Sequence, residues 1–272
     1  MRQQWSWGPD DTVFLYSGNM GLGHRFSEVL EAIPPVRTAH PDKTIHLAFF
    51  GGGKRKREVE VAVESWQWAV GSGQLPTNHP LFSVDSSSAG ISSTPLSHAA
   101  SNAGGAMSNP GTSQLPIPAC PTGNCELQTK HYQLRPDDCP LPTANFSFSV
   151  SGYVPHGELA VHLASGDVHL ASLEPAWDGM MVPSKLQGIF AAGRPVIFTG
   201  SRTSSIGRWI LESGAGWVCA PGDVADHVQA MCEALDPAER RKRGAAAKAF
   251  AGEWFDREKN VGQITAWLQT SG

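Results

Sequence analysis

Ser184 and Lys185 stand side by side at the head of a short helical pattern. A hydroxyl donor beside a full positive charge suits the oxygens of a phosphate. A helix start adds free backbone N–H groups and the positive end of the helix dipole. The surrounding stretch, 177–200, reads WDGMMVPSKLQGIFAAGRPVIFTG. Asp178-Gly179 opens a loop and Pro183 precedes the helix. Leu186, Ile189 and Phe190 share one face of 184–192, and Gly193 ends it. The apolar run 195–198 then fits a buried parallel strand. An ordinary αβ unit with a tight turn at Gly193-Arg194-Pro195 accounts for the turn but not for the Ser-Lys pair.

A second glycine-containing loop lies near the N-terminus. Residues 12–16 (TVFLY) form a β-branched and aromatic strand pattern. Ser17, Gly18, Asn19, Met20, Gly21, Leu22, Gly23 and His24 follow, then Arg25 and a helix over 26–33. Strand, glycine loop and helix can cradle a phosphate. Gly18, Gly21 and Gly23 let backbone approach a ligand with no Cβ in the way. Their spacing is G-x-x-G-x-G, which is not the dinucleotide fingerprint. A third such loop, Gly51-Gly52-Gly53, follows the strand 44–50 and leads into a helix over 54–70. Lys54 opens that helix and is placed to approach a ligand. The run Lys54-Arg55-Lys56-Arg57 otherwise reads as a solvated helix start rather than a nuclear localisation signal.

VPSKLQGIFAAGRPVIF (182–198) and YSGNMG with His24 (16–24) resemble the donor-binding core of glycosyltransferase family 4, in its bacterial-type subgroup. The resemblance covers 12–268 except for the stretch between 70 and 145. It matches the C-terminal half of a two-domain GT-B enzyme throughout. It implies transfer from a nucleoside-diphosphate sugar with retention at the anomeric carbon, with no cofactor and no obligatory metal. It also implies an Arg and a Lys on the donor diphosphate, where this chain has Asn19 and His24; Arg25 or Lys185 would have to compensate. Ser184 and Lys185 are assigned to the diphosphate, Gly21 and Gly23 to backbone approach, and Asp178 to sugar hydroxyls, unless Asp178 is only a turn residue before Gly179. Val154, following the strand that ends near Tyr153, borders the nucleotide base. The family's paired glutamates, E-x7-E, fall on Met180 and Gly188, so neither acid is present and Asp178 is the substitute for the first.

The remaining pattern is α/β. Phe146, Phe148 and Val150 alternate with serine as a strand. A short helix over 156–164, strands over 168–173 and 216–220, and helices over 204–213, 223–235, 237–250 and 257–268 follow. Alternation of this kind specifies a single Rossmann-like, doubly wound parallel sheet. Its ligands lie at the carboxyl ends of the strands, so Gly18, Gly51, Val154, Glu174 and Thr199 should converge on one crevice. Residues 12–70 and 144–272 are the nucleotide-sugar-binding domain, and 1–11 reads as an interdomain linker. Residues 71–143, rich in Ser, Gly, Pro, Thr and Asn, read as a low-complexity, disordered insertion. Within it Cys120, Cys125, His131 and Cys139 match no standard zinc spacing and read as thiols without metal. The sequon at Asn145 carries no weight without a secretory signal.

The chain has 272 residues, 40% hydrophobic and 17% charged, with formal net charge -4. That balance argues against a globally basic nucleic-acid surface. Five cysteines do not make a disulfide scaffold. No stretch reaches the roughly 20 apolar residues of a membrane span, and no signal peptide is visible. The cytoplasm is the expected compartment, with peripheral membrane contact left open. The reading is the donor-binding half of a glycosyltransferase acting on a glycan or lipid-linked acceptor. A separate chain carrying an N-terminal GT-B domain is the expected partner if this one is a half-enzyme rather than a fragment or remnant. The competing readings are a non-catalytic nucleotide-sugar-binding module and a sugar-nucleotide 2-epimerase.

Overall fold

A computed structural model of the chain describes residues 1–72, 130–133, 145–181 and 185–270, with side chains for all of these except 65–72 and 130–133. Among the described residues seven strands form one sheet: β1 (Thr12–Ser17), β2 (Ile45–Phe50), β3 (Lys130–Gln133), β4 (Phe146–Ser151), β5 (Val168–Ser172), β6 (Val196–Thr199) and β7 (Gly216–Cys219). Their order is β3-β4-β2-β1-β5-β6-β7. β4, β2, β1, β5, β6 and β7 run parallel, and β3 pairs antiparallel with β4 at one edge. This is the doubly wound, Rossmann-like sheet the alternation predicts. The edge strand β3 was not anticipated, because it lies in the polar stretch 71–143. The rest of that stretch beyond Ser72, with Cys120, Cys125 and Cys139, falls outside the described residues.

The period of two along β1 assigns its side chains to the two faces. Phe14 and Tyr16 point to one face, under α1 (Ser27–Ala39), α2 (Lys56–Ser72) and α6 (Val224–Ala234), with Ile33, Val59, Val63 and Met231 in the same core. On the other face α3 (Leu159–Ser165), α4 (Lys185–Ala191), α5 (Ser205–Ser213) and α7 (Pro237–Trp254) pack around Phe190, Phe198 and Ile210. Val13 and Leu15 point to that second face. There the N-terminal segment covers them: Trp7 is buried with Val13, Leu15, Ala48 and Phe50, and Trp5 packs alongside. The segment 1–11, read as a linker, packs against the sheet through Trp5 and Trp7. Arg2 donates to the carbonyls of Ser165, Gly8 and Asp11 and pairs with Asp167 at 2.9 Å.

The pattern over 26–33 understates α1. The helix runs through Pro34 and Pro35 to Ala39. Two prolines remove two backbone donors, but Pro35 is exposed, while Ile33, Val36 and Arg37 stay buried on the sheet side. Packing of that face outweighs the lost bonds. α8 (Arg257–Thr270) closes the described chain with no buried residue. Among the described residues no helix is long and apolar enough to cross a membrane.

Candidate functional site

Two glycine loops at the carboxyl ends of β1 and β2 are zipped together. Gly18 N donates to the Phe50 carbonyl at 2.8 Å, Met20 N to Gly52 at 2.6 Å, and Arg55 N to the Met20 carbonyl at 2.9 Å. Gly18 and Gly51 both have φ near +140°, at 143° and 139°, and a Cβ on Gly51 would run into the Gly18 carbonyl. Only glycine meets both demands. The backbone donors of Gly18 and Met20 therefore join the loops instead of facing a ligand.

Beside this junction a cleft of about 550 Å³ opens, lined by Gly18, Asn19, His24, Val154, Lys185 and Gly188 among others. That is the size range of a small-molecule site. Lys185 is its central feature. Its Nζ donates to the Tyr16 hydroxyl at 2.8 Å and lies 4.0 Å from the centre of the Tyr16 ring. Tyr16 in turn donates to the Asn19 carbonyl at 2.7 Å. No carboxylate within ion-pair distance of Lys185 occurs among the described residues, and burial lowers its amine to about 7. Desolvation disfavours the charged form, so an entering anion would restore it.

His24 is buried, and its Nδ1 lies 2.7 Å from the Ser172 carbonyl. A carbonyl only accepts, so Nδ1 carries the proton and the neutral ring leaves Nε2 as an acceptor. Burial and then the Lys185 charge lower His24 to about 4. At that value it brings no positive charge near neutral pH. Its Nε2 suits a ligand hydroxyl better than a phosphate.

Several expected residues sit elsewhere. Arg25 does not line the cleft: it pairs with Glu28 at 2.6 Å and with Glu174 at 3.2 Å. Glu174 also meets Arg55 at 3.6 Å. Burial alone would raise the Glu28 carboxyl, yet Arg25, Ser27 and the Gly222 N–H hold it below the ordinary value. Arg25 is therefore committed to an internal ion pair. Lys54 is exposed and off the cleft. Asp178 is exposed at the end of a 3-10 turn, Pro175–Trp177, with its N–H on the Pro175 carbonyl. Gly21 accepts from His24 N at 3.1 Å and Gly23 from Glu174 N at 2.9 Å, and Gly23 is packed under Trp177 and Met181. Neither lines the cleft. Ser184 lies outside the described residues. Of the five strand ends expected to converge, Gly18 and Val154 line the cleft, with Gly51 packed against Gly18. Glu174 is ion-paired, and Thr199 is buried 2.7 Å from Nε2 of His227.

Tyr16 and Tyr153 were missed. Tyr153 lines the cleft and is 57% exposed. The signal for Tyr16 was its place: a polar-tipped aromatic on the inward face of β1, directly before the glycine loop. Among the described residues no group of three or more His, Cys, Asp or Glu could hold a metal ion. Cys120, Cys125 and Cys139, read as thiols without metal, and the side chain of His131 lie outside the described residues.

This is the C-terminal, Rossmann-like half of the GT-B fold. The solved chains similar to it include that of a mutant of Staphylococcus aureus TarM, in a structure with Fondaparinux, alpha-GlcNAc-glycerol and UDP. There the TM-score is 0.53 at 10% identity, over 96% of this chain and 35% of that one. WaaG, a glycosyltransferase involved in lipopolysaccharide biosynthesis, gives 0.51 at 14% identity, over 92% and 45%. A trehalose-6-phosphate synthase gives 0.51 at 12% identity, over 93% and 44%. At these identities the likeness is one of fold. In sequence, an 85-residue stretch, 30% of this chain, is 36% identical to the probable glycosyltransferase WbjE of Pseudomonas aeruginosa, spanning 21% of that protein. The chain thus covers about a fifth of this relative and less than half of each of these solved chains. No family model matches it.

Proposed function

We propose that this chain is the donor-binding half of a retaining glycosyltransferase of family 4, taking a nucleoside-diphosphate sugar and serving transfer of a hexosyl group to a glycan or lipid-linked acceptor. The observation that carries this is Lys185: a half-buried amine at the carboxyl ends of the strands, held by a phenol and with no carboxylate among the described residues that line the cleft. Such an amine suits an anion. As the glycosidic bond breaks, charge builds on the departing diphosphate, and a fixed cation stabilises it without reorganising. His24 Nε2 accepts from a sugar hydroxyl, and Val154 and Tyr153 border the base. Asp178, at the exposed loop, reaches the sugar only if that loop closes. Ser184, beside Lys185 in sequence, is the second diphosphate ligand. The acceptor half is supplied by a GT-B N-terminal domain, whether in a partner chain or elsewhere in a longer protein.

One observation favours the second reading, a nucleotide-sugar-binding module without catalysis. Met180, 73% exposed, and Gly188, on the cleft wall, stand where the resemblance implies acids. Calorimetric titration of the chain with UDP-, GDP- and ADP-sugars tests binding. Lys185→Ala should weaken it about tenfold or more, since a charge-assisted contact contributes about 1.5–3 kcal/mol. Equal affinity in both proteins would remove Lys185 from the site. Labelled donor incubated with membrane-lipid and glycan extracts, with and without a GT-B N-terminal domain, separates the readings: binding without product in either case supports the module.

A further inference from the structure

We infer that Tyr16 is the positioning residue for Lys185: its hydroxyl fixes the amine in the cleft without neutralising it and ties α4 to the loop after β1. This deepens the donor-site reading above and rests on it. The direction of the two bonds settles the role of the phenol. Its single proton goes to the Asn19 carbonyl at 2.7 Å, because a carbonyl can only accept. A lone pair is therefore what meets Lys185 Nζ at 2.8 Å. An ammonium has three donors. One is spent on Tyr16, and two remain for an incoming ligand.

The support behind the phenol is rigid. Tyr16 is fully buried, with Phe26 edge-on at 4.9 Å and Phe49 stacked at 5.7 Å between ring centres. The lysine stem crosses Gly18 so closely that a Cβ there would lie 3.1 Å from Nζ. Among the described residues the ionisable groups that line the cleft with the amine are His24 after β1 and Tyr153 and His156 after β4, while Tyr16 meets the amine from β1; none is a carboxylate. Nearby Glu174 is held by Arg25 and Arg55. A carboxylate in place of the phenol would cancel the charge an anion needs. The phenol holds the amine and leaves the charge unopposed. Burial, which keeps the amine near 7, makes that one acceptor matter.

Tyr16→Phe keeps the ring and removes only the acceptor. Reaction of Lys185 with an amine-acylating reagent, followed by peptide mass spectrometry across pH 5–10, reads the amine directly. The midpoint should fall by about one pH unit, the equivalent of a charge-assisted hydrogen bond. Affinity for UDP, GDP or ADP at pH 7.5 should weaken about three- to tenfold. Should Tyr16→Phe fail to fold, 3-fluorotyrosine at position 16 keeps the hydroxyl but weakens it as an acceptor, and should move the midpoint the same way by less. An unchanged midpoint in the folded variant overturns the inference, whatever binds. A shifted midpoint in a chain that binds none of the three nucleotides upholds Tyr16 and overturns the donor-site reading.

Discussion

The imidazole of His24 donates from Nδ1 to the carbonyl of Ser172 at 2.7 Å, joining the loop after β1 to the end of β5. That bond requires only the neutral ring. Burial lowers His24, His162 and His169 from 6.5 to about 4. The unfolded chain therefore binds more protons than the folded one between pH 6.5 and 4. Stability from these residues is complete above 6.5 and falls as pH drops through that window, by up to about 1.4 kcal/mol per pH unit for each histidine. Urea unfolding at pH 7, 6 and 5 should show a steep loss that begins before any carboxylate titrates. A flat profile from 7 to 5 would contradict the burial of these rings.

Anion binding at Lys185 should take up a proton. Its amine is lowered from 10.5 to about 7 by burial, and an anion in the cleft would raise it again. Titration with a nucleoside diphosphate between pH 7 and 9, in buffers of different ionisation enthalpy, should show uptake approaching one proton, vanishing below pH 6. Lys185→Met should abolish the uptake. The same variant should be more stable than the parent at pH 7, and that advantage should shrink towards pH 10. The unfolded lysine keeps its proton up to about 10.5, so the folded parent gains stability as pH rises from 7 to that value.

Glu28 closes the molecule between α1 and the turn before α6. Its carboxylate takes Arg25 at 2.6 Å and the Gly222 N–H at 2.8 Å. Glu28→Gln keeps the shape but leaves the half-buried Arg25 with Glu174 alone. Removing one member of a buried pair costs about 3–5 kcal/mol, and the partial exposure of Arg25 argues for the lower end. Thermal melting should fall by several degrees at pH 7. The gap to the parent should start to close as pH falls below about 4.5, where the unfolded chain's carboxyl takes a proton, and close fully only at the lower pH where the folded carboxyl does.

Gly18→Ala tests the loop junction. Its φ of 143° is strained for any L side chain, and the new methyl meets Lys185 Nζ. Stability should drop by about 1–3 kcal/mol, and nucleotide affinity should fall with it because the lysine must move. Gly21→Ala serves as the comparison: a Cβ there meets only the Asn19 amide, at 3.2 Å, and φ is not positive. Equal effects of the two substitutions would argue against the junction.

Sequence and structure divide the credit along a physical line. β1, β2, β4, β5, β6 and β7 and the helices between them were legible because alternation and helical spacing are local, and each element carries its own period. The edge strand β3 was not, because its pairing comes from β4 and not from its own composition. The end of α1 was misjudged at Ile33 because two prolines weigh heavily in a local reading, while burial of Val36 and Arg37 weighs only in the folded core. In the site, Lys185 was visible as a cation at a helix start. Its partner Tyr16, 169 residues away, was not. Nor did spacing reveal that Glu174, 149 residues on, would join Glu28 in pairing with Arg25 away from the cleft. Residue types and local periods determined which elements form and which side chains could meet a phosphate. Tertiary structure alone decided which charges found counter-charges, since an ion pair or a desolvated amine depends on what the fold brings within a few ångströms.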